Sequence, residues 1–299
     1  RRQPHTAHRE PHMIRIFIGY DPRETVAWHV LTHSILARAS QPVSFVPLAL
    51  NNLQGLMWRE RNPLQSTEFS FSRFLTPHLS GYEGWSLFMD CDMLVLDDIA
   101  KLWALRDERY AVMCVQHDHQ PVETVKFLNQ PQTAYGKKNW SSVMLFNNPR
   151  CKALTPEYVN TASGLELHQF KWLGDDSQIG ALPKAWNHLV GYEPHAEGMS
   201  NVHFTLGGPY FNEFAGCAYA GEWSAEKGRY RRQKLSTAAQ QQGGGALVGE
   251  ELHHRIGALV DRPGGAAVAL GIALQRRVGA RAQRCPPPHR CQPRLWTRL

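Results

Sequence analysis

Between Met13 and about Gly208, short apolar runs alternate with stretches of helical period. Ile14 to Ile18 is apolar apart from Arg15 and reads as a buried strand, with Gly19 to Arg23 as the loop at its carboxyl end. Thr25 to Arg38 has helical spacing, with Val26, Val30 and Leu31 on one face and Ile35 continuing it. Val43 to Leu48 predicts a second strand and Phe69 to Leu79 a helix that ends near Ser80-Gly81. Trp85 to Met89 predicts a third strand, and Met93 to Leu96 resumes extended structure. Tyr110 to Gln116 and Ser142 to Phe146 add further strands. Strands alternating with helices imply an α/β fold with a mainly parallel sheet flanked by helices. Such a sheet places its site at the strands' carboxyl ends. That draws attention to Tyr20, Asp21 and the run from Asp90 to Asp92.

The two ends read differently. Arg1 to His12 has no apolar periodicity and lacks the apolar segment of a signal peptide, so Met13 is the expected natural start, with 1–12 a leader or non-native extension. Beyond Arg231, Trp296 is the only aromatic residue; Gln240 to Gly245 is low-complexity, and Cys285 to Pro293 is rich in Pro, Arg and Cys. That composition offers too little large apolar surface to offset ordering entropy. We therefore expect one domain, 13–231, followed by a poorly structured basic tail, 232–299, disordered or read out of frame. Weak helical amphipathicity runs from Ala246 to Val260.

Charge changes the picture less than its total suggests. The net +7 of the 299 residues arises at the ends: 11 Arg and Lys lie beyond Arg231 against Glu250, Glu251 and Asp261. Met13 to Arg231 holds 19 basic and 22 acidic residues, so the central segment has no basic footprint for nucleic acid. No apolar run approaches the roughly 20 residues of a membrane-spanning helix; the longest, Gly264 to Leu274, is mostly Gly and Ala. Six scattered cysteines without zinc-ligand spacing suit a reducing cytoplasm.

The chemistry concentrates where the third strand runs into Asp90-Cys91-Asp92. Side chains alternate along extended chain, so both carboxylates share a side while Cys91 points away. Two such acids repel unless a proton or cation resolves them, and a hard divalent ion does this while keeping positions open for diphosphate oxygens. The plain alternative is an acidic turn capping the next helix, which Asp97-Asp98 could also supply. His117 and His119 flank Asp118, but alternate histidines in a polar loop ordinarily face solvent.

Together, Phe71-Ser72-Arg73-Phe74-Leu75, the Phe88 to Leu96 run with its DxD, Asp98-Ile99 and Leu102-Trp103 resemble the pattern of glycosyltransferase family 8, the glycogenin and bacterial lipopolysaccharide galactosyltransferase type. Ile16 to Asp21, Ser141 to Asn147, Gly174 to Gln178, Leu182-Pro183 with Trp186-Asn187, and Val202-His203-Phe204 before Gly207-Gly208 resemble the family's other segments in order. The resemblance spans Met13 to Gly208. It implies a divergent bacterial member with the Rossmann-like GT-A fold. The implied activity is sugar transfer from a nucleotide-sugar donor, usually UDP-linked, with Mn²⁺ (or Mg²⁺) and retention of configuration. The implied acceptor is a glycan or lipid-linked saccharide, and the implied place the cytoplasm, with peripheral attachment at the inner membrane face as an option. Asp90, Asp92 and His203 would hold the metal; Tyr20, Asp21, Arg73, Asp90, Asn139 and Gly207 would contact the donor; Asp175, Asp176 and Gln178 would serve catalysis.

Each residue has a plainer reading. Arg73 could pair with Glu68, Asp175-Asp176 could cap a helix beginning near Ser177, Tyr20 could be sheet-edge packing, and His203 could be a core histidine. Three departures stand out: Pro209-Tyr210-Phe211 replaces Lys-Pro-Trp, Trp140 takes an expected Asn position beside Asn139, and Ser177 takes a Gln position beside Gln178. Competing functions are a non-catalytic nucleotide-sugar-binding scaffold and a sugar nucleotidyltransferase, although Gly19 to Thr25 lacks the latter's glycine-rich basic loop.

Overall fold

The computed structural model describes residues 13–61, 65–118, 125–126, 130–131 and 137–243. The expectations for 1–12, His119 and 244–299 fall outside them. Among the described residues, those up to Gln233 belong to one compact unit and those from Lys234 to a second; the candidate site lies wholly in the first.

In chain order the elements are β1 (Ile14–Gly19), α1 (Thr25–Leu36), β2 (Val43–Leu48), α2 (Thr76–Leu79), β3 (Trp85–Met89), β4 (Met93–Val95), α3 (Ile99–Ala104), β5 (Val112–Cys114), β6 (Val125–Lys126), β7 (Gln130–Pro131), β8 (Val143–Asn147), α4 (Pro156–Thr161), α5 (Gly164–His168), β9 (Ile179–Ala181), β10 (His188–Leu189), β11 (Asn201–His203) and α6 (Ala220–Gly243). Six strands form one sheet in the order β2-β1-β3-β8-β5-β9. Five of them run parallel to one another and β8 alone is reversed, pairing antiparallel with β3 and β5. β3 and β8 are buried along their whole length, which is why both read as mostly apolar runs, interrupted only by Ser86 and ended by Asn147, rather than alternating ones. The α/β expectation of a mainly parallel sheet flanked by helices therefore holds.

Two local expectations give way. The helix expected over Phe69 to Leu79 is split into a 3-10 turn, Ser72–Leu75, and the single turn of α2. Pro77 has no N–H to donate back into a continuous helix, so it sits in the first turn of a new one. The run from Met93 continues extended, but as β4 it joins a separate three-stranded sheet in the order β10-β11-β4. No local pattern separates a short strand of one sheet from that of another.

Two apolar clusters support these sheets. The larger surrounds the six-stranded sheet and includes the fully buried Phe69, Phe74, Phe88 and Phe146. The smaller gathers Val30, Leu94, Val190, Val202, Phe204, Tyr219 and Trp223 behind β4 and β11. Helix α1 serves both, giving Leu31 and Ile35 to the first and Val30 to the second. α6 is tied to α1 by Glu226, whose side chain is fully buried and accepts from His33 Nδ1 at 2.6 Å, Arg38 at 2.9 Å and Arg229. Burial alone would raise the Glu226 pKa, but hydrogen bonds from Arg229, Arg38 and His33 outweigh it and hold the carboxyl below its ordinary value.

A carboxyl with a lowered folded-state pKa adds stability above its unfolded value and loses it as pH falls through the folded one. The cations left by Glu226→Ala are partly solvated, so we expect a cost of about 2 kcal/mol, or roughly 4–8 °C in Tm at pH 7 for a domain of this size. In thermal melts of both proteins from pH 7 downward the gap should close only as pH falls below the ordinary carboxylate range, through the lowered folded-state value of Glu226. A constant gap across that range would show that the ion pairs are not its source.

Candidate metal and donor site

The DxD segment is the crossover between the two sheets. β3 ends at Met89 in the large sheet and β4 begins at Met93 in the small one, leaving Asp90, Cys91 and Asp92 to make the turn. The turn is fastened at both ends: Asp90 N–H donates to Ser142 O at 3.0 Å, and Asp92 O accepts from Phe204 N–H at 2.9 Å. The antiparallel register of β4 with β11 sets His203 opposite Met93. These ties bring ligand atoms of Asp90, Asp92 and His203 within 4.8 Å of one another. His203 Nε2 lies 3.3 Å from Asp92 Oδ1 and 3.9 Å from Asp90 Oδ2, and His203 is almost wholly buried.

The proton on this imidazole is fixed by a chain of hydrogen bonds. Ser142 Oγ–H donates to Asn139 O at 2.6 Å, so the Ser142 oxygen accepts from Asn187 Nδ2 at 3.0 Å. Asn187 Nδ2 also reaches Asn139 O at 3.3 Å. With its amide nitrogen so committed, Asn187 presents Oδ1 to His203 Nδ1 at 3.0 Å, and an amide oxygen can only accept. Nδ1 therefore carries the proton, and in the neutral ring the Nε2 lone pair faces the carboxylates. Lone pair against lone pair at this distance is repulsive, and Asp92 Oδ1 is buried with no hydrogen-bond donor among the described residues. A cation between the three groups removes the conflict. Two carboxylates with an imidazole oriented through its second nitrogen are a donor set that fits Mn²⁺.

Arg73 belongs to this cluster and not to Glu68, which instead meets Arg61 at 2.5 Å. The 3-10 turn directs Arg73 Nη1 to Asp90 Oδ1 at 2.8 Å and to Ser141 O at 2.9 Å, with both partners of the ion pair buried. The remaining expected residues are placed as follows. Tyr20 follows β1 and its hydroxyl shares a hydrogen bond with Thr25 Oγ1 at 3.1 Å. Asp21 is buried, gripped by the Arg23 guanidinium and by Glu68 N–H, and these hold its carboxyl low against the opposing pull of burial. Asn139 adopts the left-handed conformation (φ 63°), and its Nδ2 is buried with no partner among the described residues. Gly207 has φ 135°, and a Cβ there would come within 2.4 Å of the Phe214 ring, so only glycine fits. Asp175 caps the 3-10 turn Asp176–Gln178 through Ser177 N–H, Asp176 pairs with Lys137 at 2.5 Å, and Gln178 leads into β9. No α-helix begins near Ser177, where the 3-10 turn leads straight into β9.

Two residues escaped notice. Glu24 is only 2% exposed, accepting from the Tyr210 hydroxyl at 2.6 Å and from Cys91 Sγ at 3.8 Å. Burial, reinforced by the charge of Asp92, pushes its pKa up to about 8 despite the Tyr210 bond. Burial and the neighbouring Glu24 likewise push the Tyr210 phenol up. A signal existed: Glu24, Ala27 and Leu31 share a helical face, and the latter two are fully buried. Asn187 lies in one of the segments that resemble glycosyltransferase family 8, but its bond to His203 needs the third dimension.

No protein-family model matches the chain. The Arabidopsis thaliana protein "Protein CDI" is 49% identical over 234 residues, which cover 75% of this chain and 90% of that one. The relative is a plant protein, in contrast to the bacterial origin expected. Among solved structures, the apo bifunctional glycosyltransferase WbbM superposes with a TM-score of 0.50 at 14% identity over 72% of this chain. The chain spans about half of WbbM's length (49%). GlyE from Streptococcus pneumoniae gives 0.49 at 13% identity over 76% of this chain and 64% of its own. The galactosyltransferase LgtC, solved with donor and acceptor sugar analogues, gives 0.47 at 11% identity over 72% and 96%. The likeness to WbbM is one of fold, and the fold is GT-A.

Asn187→Ala removes the acceptor that fixes the His203 proton. Partners of this kind typically contribute 10–100-fold in metal affinity, so Mn²⁺ binding should weaken by about that factor. Titration of Mn²⁺ into the folded variant and the parent protein checks this; equal affinities would show that the bond does not orient a ligand.

Proposed function

The chain belongs to the family of the Arabidopsis protein CDI, and from its GT-A fold and its Asp90–Asp92–His203 cluster we propose that it is a metal-dependent glycosyltransferase. The single observation that carries this reading is the buried meeting of two carboxylates with an imidazole whose proton is held on its far side. The order of motifs along the chain resembles glycosyltransferase family 8. That favours a UDP-sugar donor, hexosyl transfer with retention, and a glycan or lipid-linked saccharide as acceptor. Among the described residues no helix is long and apolar enough to cross a membrane, and we assign the activity to the domain 13–231, acting in the cytoplasm.

Asp90, Asp92 and His203 would hold a divalent cation, Mn²⁺ or Mg²⁺, which would supply Lewis-acid neutralisation of the negative charge on a nucleoside diphosphate leaving group. The protein's own groups do the rest. Arg73, pinned by Asp90 and Ser141, adds a fixed positive charge next to the cluster, suited to the donor's phosphates and sugar. Tyr20, at the carboxyl end of β1, takes the base, and Asp21 holds that loop in shape through Arg23 and Glu68. The unsatisfied Asn139 Nδ2 donates to the donor, and Gly207 lets backbone approach it closely. Asp175, Asp176 and Gln178 orient the sugar hydroxyls and face the positive charge that develops at the anomeric carbon. To do so, Asp176 exchanges Lys137 for substrate.

Calorimetric titration of UDP into the full chain, with and without Mn²⁺, beside Asp92→Ala, tests the reading. We expect binding that requires Mn²⁺ and is abolished in Asp92→Ala. A folded protein that binds no UDP under either condition would remove the UDP assignment.

A further inference from the structure

We propose that Glu24 and Tyr210 form a positioning pair for the metal cluster, holding the turn between Asp90 and Asp92 in register with the chain that follows His203. This rests on the metal reading above.

The cluster draws its three ligands from two sheets, and the strand register fastens only one side of the turn. Asp92 is tied to β11 through Phe204 N–H, and Asp90 to the start of β8 through Ser142 O. Cys91, between them, points to the opposite side, where its Sγ donates to Glu24 Oε2. The other oxygen of the same carboxyl takes the Tyr210 hydroxyl, seven residues beyond His203. Glu24 stands at the entry to α1, directly after the loop closed by Asp21 and Arg23. One carboxyl thus joins the donor loop, the DxD turn and the segment behind the histidine.

Packing does not explain these choices. Glu24 is almost wholly buried close to Asp92 and Asp21, whose charges oppose its own, and it has no ion pair among the described residues. An apolar side chain of similar size would be the more stable occupant. The Tyr210 ring packs at a tilt against Trp223, with ring centroids 5.4 Å apart, and lies over Gly208, contacts that phenylalanine would make equally well. The hydroxyl adds only the bond to Glu24. Tyr210 also occupies the stretch where the resembled family has Lys-Pro-Trp, so the bond fastens a segment that lacks the family's lysine.

The test is Mn²⁺ affinity of the full chain, measured from the free-Mn²⁺ electron paramagnetic resonance signal, for the parent protein, Asp92→Ala, Tyr210→Phe, Glu24→Gln and Glu24→Ala, each with a thermal melt. Tyr210→Phe and Glu24→Ala should bind Mn²⁺ about tenfold more weakly, at the lower edge of outer-partner effects. Glu24→Gln should bind within about twofold of the parent, because its amide oxygen accepts the same bond. Tyr210→Phe removes one hydroxyl and answers the question even if Glu24→Ala fails to fold. Parent-like affinity in Tyr210→Phe overturns the proposal. A loss in Glu24→Gln as large as in Glu24→Ala also overturns it, in favour of Glu24 acting by charge. A parent protein that binds no Mn²⁺ overturns the metal reading itself, and the pair's role with it. Binding that Asp92→Ala abolishes and the Glu24 and Tyr210 variants leave untouched removes this inference alone.

Discussion

The antiparallel pairing of β4 with β11 is the constraint on which the site depends. It sets His203 opposite Met93, and the hydrogen bond from Phe204 N–H to Asp92 O continues the same ladder by one residue. A slip of one residue would turn His203 away and present a neighbour of opposite facing. The two apolar clusters exclude such a slip, since Leu94 and Val202 must both face Val30 and Trp223. The chemistry of the cluster is thus specified by apolar packing behind a three-stranded sheet.

The parts of this arrangement that were legible in the sequence are those with a local cause. β3 and β8 are buried along their whole length, and β1 everywhere but Arg15, so all three appear as mostly apolar runs, and the DxD stands at the end of one of them. The α1 period is visible because a single helix face repeats along it. The rest depends on partners distant in the chain. β4 looks like a continuation of β3 until its pairing with β11 is known. The break at Pro77 was printed in the sequence, yet the apolar period through Phe74 and Leu75 outweighed it. Arg73 illustrates the limit well: at five residues from Glu68 it suggested a surface ion pair, whereas the 3-10 turn aims it at Asp90. Asn187 was unreadable as part of the site because its meaning is a hydrogen-bond partner, and hydrogen-bond partners leave no periodicity; the helical face that Glu24 shares with Ala27 and Leu31 points to its burial but not to its partners.

Charge is distributed by the same logic. Asp21, Arg73, Asp90 and Glu226 are all buried, and each has an opposite charge within hydrogen-bond reach. Glu24 departs from the pattern, with a tyrosine and a thiol for partners and other acids for neighbours. The interior thus tolerates ionised groups where they fasten one element to another, as Glu226 fastens α6 to α1. The exception lies beside the DxD, where local rules of stability are most often broken for function.

The separation of the ligands along the chain has a consequence for how the protein is made. Asp90 and Asp92 leave the ribosome roughly a hundred residues before His203, and α1 precedes Glu226's helix by nearly twice that. Contacts so distant in sequence form late, after the loop-closure entropy between them has been met. During that interval β4 has no strand beside it, and Val30 and Leu94 lack the cover that Val202, Phe204 and Trp223 later supply. The nascent chain can therefore complete most of its six-stranded sheet while the Asp90–Asp92–His203 cluster does not yet exist. Chains cut short before β11 would be folded in bulk, would lack the cluster, and would be marked for quality control by an uncovered strand edge and apolar face.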